Sequence, residues 1–110
     1  MTVQTGNLFA DLSDAGVGEE TFTELFAQSG LKIERIVSQG NASPPGFWYD
    51  QAWNEWAVVL RGSATLRFEE EPAGRALVAG DYVLIPARKR HRVEWTDPQQ
   101  PTVWLAVHFG

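Results

Sequence analysis

Apolar and polar residues alternate through most of the second half of the chain. Between Ser63 and Glu69, Ala64, Leu66 and Phe68 alternate with Thr65 and Arg67, the period of a half-buried strand. Similar short runs cover Glu55–Arg61, Arg75–Ala79, Tyr82–Pro86, His91–Thr96 and Thr102–Phe109. Turn residues separate them: Gly62, then Pro72 and Gly74, then Gly80-Asp81, Ala87–Arg90 and Asp97-Pro98. Upstream, Pro44, Pro45 and Gly46 mark residues 41–46 as a loop. Thr21–Phe26 carries a helical spacing of Phe22, Leu25 and Phe26, but its Thr and Phe content favours a strand. With the Gln28-Ser29-Gly30 turn and the Leu31–Val37 run, it reads as the first arm of a hairpin. Residues 1–20 hold little pattern beyond Leu8, Phe9 and Leu12, and read as a loosely docked arm with one helical turn. No long helix, repeat or low-complexity segment intervenes. Short strands at close spacing predict an all-β, antiparallel sandwich or barrel.

Composition narrows the class further. At 110 residues and 44% hydrophobic content, with six Phe, five Trp and two Tyr, the chain supports one core and is not disordered. The absence of Cys excludes disulfides, thiolate zinc sites and cysteine nucleophiles. A net charge of −5 argues against nucleic acid and anionic membranes as partners, despite the Arg88-Lys89-Arg90-His91-Arg92 run, which reads as a solvated turn. The longest apolar run, Trp56–Leu60, is far short of a membrane span, and Met1–Leu12 has no leader-like pattern. A soluble, cytoplasmic, single-domain protein is expected.

Two stretches carry a family likeness. Glu55 is followed, after six residues, by Gly62; and Gly80-Asp81-Tyr82-Val83-Leu84-Ile85-Pro86 is followed by His91. These resemble the two motifs of the cupin family, over roughly residues 31–109, and the Trp48–Gln51 and Arg90–Trp95 segments resemble small bacterial members. The resemblance implies a single-domain cupin-like antiparallel β-barrel, the double-stranded β-helix or jelly roll. Residues 1–30 would form an arm and first strand packed on a barrel of residues 31–110. The departures are as informative. The family's first-motif histidines fall on Tyr49 and Gln51, its second-motif Gly on Arg88 and its final Asn on Trp95.

The candidate site follows from both readings. Alternation puts His91, Val93 and Trp95 on one, inward face, and an inward imidazole needs a hydrogen bond or a metal. Glu55 shares a face with Ala57 and Val59, where an unpaired carboxylate is costly. The resemblance makes Glu55 and His91 metal ligands, with Gln51 auxiliary and Tyr49 a proton donor or orienter. Such a set suits a weakly held divalent ion (Fe, Mn, Ni or Zn) better than a structural zinc. Tyr49, Trp95 and Arg88 are the expected pocket residues, with the other Trp residues as packing. His108 shares a face with Thr102, Trp104 and Ala106, opposite the aliphatic Val103, Leu105, Val107 and Phe109, and is expected outside the barrel or at an interface, with a place lining the pocket as the alternative.

Two functions of different class stay open. One is a metal-dependent enzyme acting on a small organic substrate. The other is a non-catalytic binding or sensing barrel that has lost its metal and holds a small anion through Tyr49, Trp95 and Arg88. The Glu55–Arg61 strand is apolar on both faces, and a lone barrel has only one interior, so the second face is covered either by the N-terminal arm, through Phe9, Leu12, Phe22 or Phe26, or by a partner subunit; a homodimer is expected.

Overall fold

The computed structural model describes residues 2–12 and 20–110. Its strands are β1 (Thr21–Gln28), β2 (Leu31–Ser38), β3 (Asn54–Arg61), β4 (Ser63–Phe68), β5 (Arg75–Val78), β6 (Tyr82–Ile85), β7 (His91–Thr96) and β8 (Thr102–Phe109). All pairings are antiparallel, in a five-stranded sheet ordered β1-β2-β8-β3-β6 and a three-stranded sheet ordered β5-β4-β7. No helix among the described residues is long and apolar enough to cross a membrane. The ambiguous Thr21–Phe26 stretch is a strand, hydrogen-bonded to β2 along its length. In the arm, Ala10 N donates to Asn7 O at 3.1 Å, the single turn the sequence suggests. Arg35, on the outer face of β2, donates to the carbonyls of Leu8 and Ala10 and so straps the arm to the sheet.

The two sheets pack their inner faces together, and burial follows the period-two pattern of β3 and β4. Ala57 and Val59 of β3 are 2% and 0% exposed, and Ala64, Leu66 and Phe68 of β4 are also buried. Ile85, Trp104 and Ala106 complete the cluster. Ala57 lies directly opposite Ala106, so two methyl groups line the middle of the wall and leave space between the sheets. Gly62 makes the tight β3–β4 connection. Its φ is +88°, and a Cβ there would lie 2.7 Å from the Thr102 Cα, so any side chain forces the backbone apart.

Candidate functional site

The space between the sheets is a cavity of about 450 Å³, with Glu34, Glu55 and His108 on the larger sheet and Leu66, His91 and Val93 on the smaller. Glu55 projects inward with Ala57 and Val59 and is 9% exposed. His91 opens β7 opposite Phe68 and is 5% exposed. The loop before β3 runs back along β7: Tyr49 N donates to His91 O at 2.7 Å, and His91 N donates to Tyr49 O at 3.1 Å. This bridge stacks the Tyr49 ring on the His91 ring, with centroids 5.3 Å apart. Two residues on, Gln51 faces the same cavity, and its Nε2 donates to Glu55 Oε1 at 2.9 Å. Tyr49, Gln51, Glu55 and His91 therefore share one cavity.

Hydrogen bonding fixes the chemistry of the two imidazoles. His91 Nδ1 lies 2.9 Å from the Lys89 carbonyl oxygen, which can only accept, so Nδ1 carries the proton and Nε2 presents a lone pair. His108 Nε2 lies 2.8 Å from Glu34 Oε1, and its buried Nδ1 has no partner among the described residues. Glu20 and Glu34 join Glu55 around the cavity, giving three carboxylates. Burial pushes the Glu20 carboxyl up, against the lowering effect of the Ser38 hydroxyl, and the charges of Glu34 and Glu55 push it further. Burial likewise raises Tyr49, reinforced by Glu20 and Glu55, so its phenol stays protonated at neutral pH.

A raised Glu20 has a defined consequence for stability. Its folded pKa lies above the ordinary carboxylate value, so the favourable contribution is complete below that ordinary value and is lost as pH rises through the folded one. Ionised Glu20 then weighs against the fold at neutral pH. Glu20→Gln is expected to raise the melting temperature at about pH 7 and leave it unchanged at about pH 4. An equal effect at both values would show that charge is not the cause.

Several expectations need correction. Trp95 faces outward, 46% exposed, because the β4–β7 register shifts between Thr65 and Leu66. Val93 pairs with Leu66 and Trp95 with Thr65, leaving Glu94 as the extra residue, so the bulge reverses the alternation. Trp95 lines no wall of the cavity. Arg88 also lies outside it: its φ is +66°, the left-handed turn that Gly usually supplies, and its guanidinium meets Asp50 at 3.4 Å. His108 is the opposite case, 6% exposed and inside the barrel. The face of β8 with Thr102, Trp104, Ala106 and His108 points inward, while Leu105, Val107 and Phe109 point outward. Polar and aromatic groups are turned inward because they surround a cavity rather than fill a core. Trp53 and Trp104 also line it, so they are more than packing. Of the basic run, Arg88, Lys89 and Arg90 pair with Asp50, Glu70 and Glu69, while Arg92 donates to the Ser43 carbonyl and lies over Trp48.

The donor set bears directly on a metal. Among the described residues, no three carboxylates or imidazoles are grouped to hold one. One imidazole nitrogen, one carboxylate and a neutral amide already bonded to that carboxylate fit a labile divalent ion, not a tightly resident transition metal.

Comparison with known proteins agrees with this architecture. A family model described as "Cupin domain" matches residues 35–108. The chain is 52% identical to a "putative mannose-6-phosphate isomerase" from Ralstonia eutropha JMP134, with a TM-score of 0.93 over 97% of this chain and 98% of that one. A cupin superfamily protein from Desulfitobacterium hafniense DCB-2 is 16% identical, with a TM-score of 0.75 over 99% of this chain and 94% of that one. An RmlC-like cupin with a double-stranded β-helix fold from Methanocaldococcus jannaschii is 15% identical, with a TM-score of 0.72 over 99% and 92%. No curated protein matches. On the family-model match and the jelly-roll arrangement of its strands, the chain belongs to the cupin family.

Proposed function

We propose that this cupin is an enzyme of acid–base chemistry on a small hydroxylated carbonyl compound. The observation that carries the reading is the Tyr49–His91 stack, which sets an imidazole lone pair and a protonated phenol side by side in the cavity between the sheets. His91 Nε2 is the base that takes a proton from carbon next to the substrate carbonyl, its ring oriented by the Lys89 carbonyl. The Tyr49 hydroxyl donates to the carbonyl oxygen as the electrons move there, giving an enediol. The Tyr49 phenolate then takes the proton of the adjacent hydroxyl as the His91 imidazolium returns its proton to the former carbonyl carbon, which completes an isomerisation with both side chains restored. Glu55 and Gln51 orient substrate hydroxyls. The likeness to a "putative mannose-6-phosphate isomerase" supports a sugar-like substrate. A phosphate is a poor fit, because Lys32, the one cationic side chain at the cavity among the described residues, sits 3.7 Å from Glu34 Oε2 amid three carboxylates. Nucleic acid has no place in this reading.

A metal is accommodated without being required. Glu55 and His91, with Gln51 beside them, would hold a labile divalent ion, and such an ion supplies Lewis-acid polarisation of a substrate oxygen when bound. The locked Nδ1 of His91, which leaves Nε2 free, supports this as a second reading. The anion-binding barrel loses its basis, since Trp95 and Arg88 lie outside the cavity.

The test is proton NMR of candidate aldoses and ketoses in deuterated water with EDTA and then with added manganese. Enzyme-dependent loss of the signal next to the carbonyl supports the acid–base reading; exchange only with manganese favours the metal. No exchange with any such compound would sink both.

We also propose a homodimer. On the outer face of the larger sheet, Ile33, Val107, Trp56 and Leu84 form one cross-strand row, and Tyr82 and Leu84 are 67% and 55% exposed. An apolar row of this length is unusual on a monomer. Light scattering is expected to return twice the 12.3 kDa chain mass. A single-chain mass at micromolar concentration would refute it.

A further inference from the structure

We propose that the cavity recognises a protonated amine, received among Glu20, Glu34 and Glu55, so that its substrate is an amino-substituted hydroxylated compound. This deepens the acid–base reading and rests on it for the reacting carbon, though not for the binding of the amine.

The first argument is the imbalance of charge. Glu55 has the Gln51 amide at 2.9 Å and Glu20 has the Ser38 hydroxyl at 2.6 Å, both neutral partners. Among the described residues, only Glu34 has a cation near it, Lys32 at 3.7 Å. Carboxylates taken out of water with neutral partners leave a negative potential that a cation relieves. Direct pairs also set the sign of what enters: a ligand carboxylate or phosphate is repelled, and a ligand ammonium is drawn in.

A second, independent observation points the same way. His108 is 6% exposed and lines the cavity, and its Nδ1 has no hydrogen-bond partner among the described residues. Glu34 accepts from Nε2 at 2.8 Å, which leaves the neutral ring with its lone pair on Nδ1. An orphaned buried acceptor calls for a donor. Carboxylate oxygens and this nitrogen all accept, so the missing partner is rich in N–H or O–H donors, and an ammonium offers three.

The walls favour an organic ammonium over a bare ion. The Lys32 ammonium already lies 6.0 Å from the centre of the Trp53 ring, and that ring stands 6.3 Å from His108. Aromatic faces attract ammonium groups, and a cavity of about 450 Å³ holds a small organic molecule rather than a single ion.

The experiment uses matched pairs differing in one group, titrated by tryptophan fluorescence in EDTA so that no metal bridges them. Serinol is set against glycerol and glucosamine against glucose, with glucose 6-phosphate as the anionic control. In at least one pair the amine is expected to bind about tenfold tighter or better than its hydroxyl partner. Glu34→Gln should remove that preference while leaving the hydroxyl partner's affinity unchanged; if it fails to fold, the wild-type pairs alone decide. Equal or absent binding of amine and partner in both pairs, or tighter binding of the phosphate, overturns the proposal. Deuterium exchange without amine preference would remove this inference and keep the acid–base chemistry. Amine preference without exchange would do the reverse.

Discussion

Replacing His91 by Gln is expected to cut deuterium exchange into the substrate by about a hundredfold or more, with little loss of folding. Among the described residues the imidazole has no charged partner whose loss would strand a buried ion: Nδ1 donates to the Lys89 carbonyl, and the ring packs between Tyr49 and Phe68. A Gln amide can donate to the same carbonyl, so the strand end keeps its hydrogen bond. What disappears is the Nε2 lone pair. Tyr49→Phe keeps the stacking surface and removes only the phenolic proton, so it should slow exchange with the melting temperature preserved. The two variants separate base from acid. Exchange at the wild-type rate in His91→Gln would remove His91 from the chemistry, and Glu55 would be the remaining base at that wall.

The strands were legible in the sequence because turn residues bracket them. Gly62 and Gly80 both adopt positive φ, +88° and +96°, at the turns where the sequence places them. Side-chain direction was legible only where pairing is regular. On β3, strict alternation buries Glu55, Ala57 and Val59 as read. On β7, one extra residue in the ladder turns Trp95 out, and nothing in His91–Thr96 marks that position before its partner strand is known. The Arg at position 88 hides a turn in the same way: the backbone keeps a φ of +66° without the glycine that would announce it.

The cavity was obscured by a sound rule applied to the wrong case. Leu31 and Ile33 alternate with Lys32 and Glu34 on β2, and Leu105 and Val107 alternate with Ala106 and His108 on β8. Read singly, each strand places its aliphatic face in the core and its polar face in water. The register runs Lys32 opposite His108 and Glu34 opposite Ala106, so the two polar faces coincide, inside. Polar residues on two neighbouring strands are the pattern of a lined site with a covered exterior. That pattern, rather than the second motif, was the signal available for Glu34 and His108. Glu20 carries no such signal, because it precedes β1 and lies outside the alternation of any strand; its carboxylate accepts from the Ser38 hydroxyl.

Restoring both first-motif histidines, by Tyr49→His with Gln51→His, is expected to raise affinity for Ni(II) by about a hundredfold or more in calorimetric titration. The wild-type donors are one imidazole nitrogen and one carboxylate, and Gln51 spends its amide on Glu55. Both substituted positions already face the cavity beside Glu55 and His91, so two further imidazoles would join them without moving the backbone. Imidazole is a far better ligand than phenol or amide for late divalent metals, and adding two completes the family's set of three imidazoles and a carboxylate. The same change deletes the Tyr49 hydroxyl, so metal-free exchange should fall as metal affinity rises. Wild-type protein treated with EDTA should keep its melting temperature, because its core of Val59, Leu66, Phe68 and Ile85 needs no ion. A double variant that binds nickel no better than wild type would mean that residues 49, 51, 55 and 91 do not converge on one point. The labile-metal reading would then fall, and the acid–base chemistry of Tyr49 and His91, which needs only those two rings, would be left to stand on its own exchange data.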